Sequence, residues 1–179
     1  MKRILIIGIV VILALSGCNK NNSPIYSGTM TINNQAADQN FNVYGFQVPT
    51  GKKVLNLSNQ EDVIIIQPDF DINYNIKQIY YSTNNFYNSF FRVGNYNDVS
   101  AALQAFNKLT SFTQPQWKTL GDSLSANQIW LFRTSGEKYA KIRIINTFSE
   151  KRQDMPFPYV ECTFDWVYQP DGSLTFPGK

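Results

Sequence analysis

The 179-residue chain contains no histidine. That absence removes Ser-His-Asp and Cys-His catalysis, His-ligated zinc and His-ligated haem iron together. Cysteine is nearly as scarce, with only Cys18 and Cys162 present. If Cys18 is acylated, no internal disulfide can form, and stability has to come from a packed core. Charged residues make up only 16 % of the chain. No basic block stands out among them, which sets nucleic acid aside as a partner. Acidic residues are scattered, and neither Glu61-Asp62 nor the Asp69/Asp71 pair fits a carboxylate-pair hydrolase motif. The expectation is a non-catalytic protein. No repeat of fixed period is visible.

Long apolar runs are also missing, except at the start. Lys2 and Arg3 precede twelve uncharged, almost wholly apolar residues, Ile4 to Leu15. As a helix that tract would be roughly 18 Å long, well short of a bilayer core of about 30 Å. It therefore reads as the h-region of a signal peptide spanning residues 1–17. The tract ends Leu15-Ser16-Gly17-Cys18, which resembles the lipobox of bacterial lipoproteins. An apolar residue precedes the cysteine by three, small residues let a peptidase reach the backbone, and the Cys18 thiol accepts a diacylglyceryl group. Two or more acyl chains anchor stably where one does not, so a lipid bilayer is the first expected partner. Asn19 follows in place of aspartate, which by the usual sorting logic favours the outer membrane. Positions 20 to 24 carry no acidic run of the kind that directs surface export, so the periplasmic leaflet is favoured.

With Lys2 and Arg3 removed, 14 basic residues stand against 13 acidic ones in a mature chain of 162, a net charge of +1. That length suits one domain burying about two thirds of its surface. The 26 aromatic residues can supply its core, since each buries about 150–250 Å².

Residues 18–40 are polar and Asn-rich, and read as a lipidated N-terminus and flexible tether, with a possible short strand near Ile25 to Ile32. A domain is expected from Phe41 to Lys179. Asn42 to Val48, the turn chemistry of Pro49 to Lys52, and Lys53 to Leu57 predict a hairpin. Val63 to Ile66 suits a strand covered on both faces, while Ile72, Tyr74 and Ile76 alternate with polar residues as a half-buried strand. Ile129 to Thr134 and Tyr139 to Phe148 flank Ser135-Gly136-Glu137 as another hairpin. In Val160 to Tyr168, one face carries Val160, Cys162, Phe164, Trp166 and Tyr168. Pro170-Asp171-Gly172 then turns the chain into Leu174 to Phe176, giving a sheet edge with one wet face. Val99, Ala102, Leu103 and Phe106 fall at helical spacing, with Asn97 or Asp98 as the N-cap. The fold class is mainly β: one antiparallel domain, sandwich or open-barrel like, with a single packing helix.

Two stretches, IWLFRTSGEKYAKIRI (Ile129 to Ile144) and FDWVYQPDGSLTF (Phe164 to Phe176), resemble the HmuY family in its Arg-Thr/Gly/Lys-Tyr-Ala-Lys hairpin and its terminal Tyr-Gln-x-Asp-Gly-Ser strand pair. The resemblance lies in residues 129–176. It implies an all-β lipoprotein that captures haem or another small ligand and passes it to a TonB-dependent receptor. Family members hold haem iron through histidine or, in some, methionine, so this chain departs from the pattern. Gly136, Gly172, Tyr139 and Trp166 also have a plain structural explanation as turn and core positions, and a shared hairpin speaks for fold before ligand.

Met155 sits in the polar loop Ser149 to Pro158, where its thioether could ligate iron while Lys151 and Arg152 pair with propionates. The alternative is a methionine packed on Phe157. Asp69, Asp71, Asn73 and Asn75 alternate like a calcium loop, but Tyr74 and Tyr80 stand where the glycine and the bidentate acid belong. Cys162 falls on an apolar strand face with nothing to lower its pKa. Tyr80-Tyr81 to Phe90-Phe91 interleaves aromatics with small polar groups, so Tyr80, Tyr81 and Tyr87 are candidates to grip a flat ligand, a sugar or a partner. The alternative is two strand ends joined by a polar turn. A scaffolding lipoprotein using such a surface against protein or glycan is the competing functional expectation.

Overall fold

The computed structural model describes residues 26–37, 41–84, 88–153 and 156–177. Among them the order is β1 (Ser27–Asn33), β2 (Tyr44–Gln47), β3 (Lys52–Leu55), β4 (Val63–Phe70), β5 (Ile76–Thr83), β6 (Phe90–Asn95), α1 (Val99–Lys108), β7 (Gln128–Arg133), β8 (Tyr139–Glu150) and β9 (Tyr159–Gln169). The strands form two antiparallel sheets, β1-β9-β8-β7-β6 and β3-β2-β4-β5. The expected mainly-β domain with one helix is what the chain adopts, as an open sandwich without barrel closure.

Period-two alternation builds the core. Val160, Cys162, Phe164, Trp166 and Tyr168 of β9 all point inward and join Trp130 and Phe132 of β7 and Ala140, Ile142 and Ile144 of β8. The small sheet answers with Phe46, Ile64, Ile66, Ile79 and Tyr81. Ring pairs stitch the two sheets together: Phe46 lies 4.9 Å from Trp166 and 5.5 Å from Phe164, and Tyr81 meets Phe164 edge-on at 6.0 Å. Such pairs add about 0.5–1.5 kcal/mol each beyond the area they bury.

The other face of the large sheet is covered too. Helix α1 starts where the Asp98 side chain accepts the Ala101 N–H at 2.8 Å, the expected N-cap. Phe106 packs with Ile129 and Val167, while Phe112, Trp117 and Phe176 pack with Leu131 and Tyr139. The expected helix face is corrected in detail: Ala102 and Phe106 are buried, but Val99 and Leu103 are exposed. The inward stripe runs through Ala105 and Leu109 instead.

Three further expectations are corrected. Residues 18–40 are not a tether throughout, because Ser27–Asn33 pairs along β9 with Ile32 fully buried, so the domain starts at β1 and not at Phe41. That same pairing places β9 between β1 and β8, so β9 is not a sheet edge. After it, Asp171 accepts the Ser173 N–H and Gly172 takes φ 77°, completing the expected turn. Leu174 to Phe176, however, holds only one bridge, Thr175 to Ser111. Lastly, Ile72 and Tyr74 are not strand. The Asp71 carboxylate accepts N–H groups from the Asn73 backbone, the Asn75 backbone and the Asn75 side chain at 2.8–2.9 Å. A local side-chain cap of this kind outcompetes a ladder. Tyr74 turns to φ 62° and Ile72 is left 92 % exposed.

Candidate functional site

The small sheet is paired incompletely, and that incompleteness makes a groove. β2 meets β4 only at Phe46↔Ile64 and Gln47↔Val63, whereas β4 continues against β5 to Phe70. Gly45 still approaches Ile64 closely, but beyond it the chain pairs with β3 and, at Val43, with Ala36, so β2 and β4 part there. The Asp62 carbonyl accepts from Val48 N, so Asp62 faces β2, and alternation puts the main-chain groups of Ile64, Ile66 and Pro68 on that same side. Pro68, which has no N–H to offer, stands on this open edge, where proline is tolerated.

Between the splayed strands lies a cavity of about 410 Å³. Phe41, Asn42, Val43 and Asn56 form one wall, Ile65 to Pro68 with Phe70 and Tyr80 the other, and Asn34 and Phe157 close one end. The lining contains no charged side chain among the described residues, in a chain with 16 % charged residues. Its polar groups are amides and one phenol. The Tyr80 hydroxyl donates to Gln67 Oε1 at 2.8 Å, and Asn34 is held by Pro158 O and Val160 N. Burial first, then the nearby Asp69 charge, raise the Tyr80 hydroxyl above its ordinary pKa. Asn56 Oδ1 is buried without a hydrogen-bond partner among the described residues. Phe41 is 66 % exposed and sits at φ 58°, a left-handed conformation unusual for an aromatic residue.

Among the described residues, the expected aromatic surface is divided between the core and the outer face of β5. Tyr81 is fully buried, stacked on Phe90 at 6.0 Å, with its hydroxyl against Cys162 Sγ at 3.1 Å. It is a core residue, and its candidacy as a ligand contact is withdrawn. Tyr80 points to the opposite face of β5 and does line the groove. Tyr87, Met155 and Cys18 lie outside the described residues.

Lys151 and Arg152 line a neighbouring pocket of about 280 Å³ with Tyr74 and Phe157, the last shared with the groove. Both cations are engaged there: Lys151 Nζ reaches Asn73 O and lies over the Tyr74 ring, and Arg152 pairs with Glu150 and lies 3.6 Å over the Tyr159 ring. In the Asp69/Asp71 alternation, Asp71 caps its own turn and Asp69 accepts from Gln78. Among the described residues no three His, Cys, Asp or Glu side chains converge for a metal. Burial pushes the Cys162 thiol up to about 12, which makes it an inert core group. Glu61 and Asp62 accept from Ser135, holding the β7–β8 turn.

Sequence reasoning missed Phe41, Asn42, Asn56 and Gln67. The first two lay at an assumed domain boundary, while Asn56 just after β3 and Gln67 within β4 are polar residues whose only signal is tertiary. Compared with protein-family models and with curated protein sequences, the chain matches none.

Proposed function

We propose that this protein is an exported, lipid-anchored, non-catalytic binding protein that holds a small ligand in the groove between β2 and β4. The groove carries that proposal: a preformed concavity of several hundred Å³, lined by apolar and neutral polar side chains together, has the size and shape of a small-ligand site. The non-catalytic part of the reading is supported by the hydrogen bonds that Glu61 and Asp62 accept from Ser135, Asp71 from its own turn and Asp69 from Gln78. The anchor rests on the lipobox-like Leu15 to Cys18, and the HmuY resemblance with its TonB-dependent receptor supplies a role of handing cargo to an outer-membrane uptake system. Haem is the cargo that the resemblance suggests, although the described lining holds no histidine, methionine or cysteine and its one oxygen ligand for iron, the Tyr80 phenol, is hydrogen-bonded to Gln67.

Two measurements test this. Cys18→Ser should shift the protein from the detergent phase to the aqueous phase in cloud-point partitioning, and unchanged partitioning would refute lipidation. For the groove, melting temperature should be followed with hemin, neutral trisaccharides, tripeptides and nucleotides, in the parent chain and in Val43→Trp, whose indole fills the cavity. At least one class should raise the parent's melting temperature and leave that of Val43→Trp unchanged. A panel without effect on either protein refutes ligand holding.

A further inference from the structure

The lining of the groove narrows the ligand class. We infer that it takes a neutral, hydroxyl-rich molecule, a short glycan, with Asn56 and Gln67 addressing its hydroxyls and Phe41 and Phe70 its C–H faces. This rests on the ligand-holding role proposed above and goes beyond it.

Three observations converge. First, the described lining is uncharged, so an anionic or cationic ligand would lose its hydration with no counter-charge to replace it. Second, four amides (Asn34, Asn42, Asn56 and Gln67) and the Tyr80 phenol share one small cavity with Phe41, Phe70 and Phe157. An amide both donates and accepts, as a sugar hydroxyl does, and an aromatic face covers the apolar side of a sugar ring. Third, two features are unfavourable for the fold taken alone. Asn56 Oδ1 is a buried acceptor without a donor, and Phe41 keeps an exposed ring in a left-handed backbone conformation. Orphaned acceptors and strained residues gather where a ligand makes use of them. Turned from its buried position into the cavity, the Asn56 amide would gain a sugar hydroxyl for Oδ1, and a sugar ring under Phe41 at the rim would offset the cost of its backbone conformation.

An extended peptide fits less well. Added to the open edge of β4, it would face Pro68, which withholds a ladder donor, so the main-chain edge left beyond the β2 pairing starts at Ile66 and is interrupted two residues on.

The experiment uses the full chain in a zwitterionic detergent that lacks a sugar headgroup. Maltotriose, cellotriose, xylotriose and chitotriose are the probes, with trigalacturonic acid, hemin and tri-alanine as contrasts. At a concentration ten times its Kd, a bound trisaccharide should raise the melting temperature by about 3–5 °C. Asn56→Leu removes the orphaned acceptor at similar volume, so it should melt at the parent's temperature or above and bind the same trisaccharide about tenfold more weakly. Phe41→Gly relieves the backbone and should likewise be no less stable, yet bind more weakly. A purely structural role for these residues would leave affinity untouched in both variants, and that result overturns the inference. So does a response to none of the neutral trisaccharides. If hemin, tri-alanine or the acidic sugar responds instead, and Val43→Trp abolishes the response, ligand holding stands while the glycan assignment falls. If no probe responds, both fall.

Discussion

Gly45→Ala should destabilise the domain by about 3 kcal/mol, at the upper end of the usual range for overpacking, lowering its melting temperature by roughly 6–12 °C. The reason is a close approach of two backbones. A Cβ at position 45 would lie 2.4 Å from Val63 Cγ1, 2.7 Å from the Ile64 carbonyl oxygen and 2.9 Å from Ile65 Cγ2. The two side chains can rotate away, but the carbonyl cannot move without dragging β4 out of its pairing with β5. Gly45 stands where β2 makes its last contacts with β4 before the strands part, so β2 has to give way and the wall formed by Asn42, Val43 and Asn56 goes with it. Loss of groove binding should therefore accompany loss of stability. Gly136→Ala is the matched control: an added Cβ there meets nothing within 4 Å, and stability should change by no more than about 0.5 kcal/mol. Urea unfolding of both variants decides the matter. An alanine at 45 as stable as the parent would mean that the strands do not approach this closely.

The same spot shows what could be read from the sequence. Val63 to Ile66 announced a strand buried on both faces by being continuously apolar, and all four are buried. The alternation of β9 assigned its inward residues correctly from Val160 to Tyr168. Patterns of this sort are local, and periodicity reports them. The groove is not local. It exists because β2 leaves β4 after two residue pairs, and nothing in the alternation of Tyr44 to Gln47 says with which neighbour it pairs or for how long. Tyr80 and Tyr81 make the limit plain: adjacent and identical, they point to opposite faces, one into the groove and one into the core. Composition suggested an aromatic patch; the pleat divides it. The Asp71 turn failed for a different reason, because Ile72, Tyr74 and Ile76 do alternate, but the carboxylate that breaks the strand lies just before them. The tether boundary failed although a short strand near Ile25 to Ile32 was legible, because nothing in the Asn-rich composition says that it pairs along β9 and buries Ile32 in the core.

Lys141→Ala should cost about 3 kcal/mol, a large loss for a substitution that removes one amine. Lys141 is 3 % exposed on the outer face of β8, and its Nζ donates to Phe106 O at 2.8 Å and Leu109 O at 2.9 Å. Those carbonyls belong to the end of α1, where helical acceptors run out of intrahelical partners, and a cation there also complements the helix dipole. The rings of Phe106 and Phe176 lie 4.7 and 5.5 Å from the same nitrogen. Truncation removes this packing and strands the buried Phe106 carbonyl and the part-buried Leu109 carbonyl, a buried acceptor left without a donor costing about 1–3 kcal/mol. Lys141→Met keeps most of the stem and should recover about half the loss, so the difference between the two variants separates packing from capping. Hydrogen exchange in the last turn of α1 should accelerate in both. This lysine closes the Tyr-Ala-Lys phrase of the β7–β8 hairpin, and its neighbours are equally structural: Tyr139 packs under Phe112 and Trp117, and Ala140 lies in the core. The phrase is thus what a β8 covered by a helix on one side and a sheet on the other requires, whatever the protein carries. Lys141 lies on the opposite side of the large sheet from the groove, so Lys141→Met should bind trisaccharide or hemin as the parent does at temperatures where both are folded. A change in affinity would show that the hairpin takes part in binding as well as in the fold.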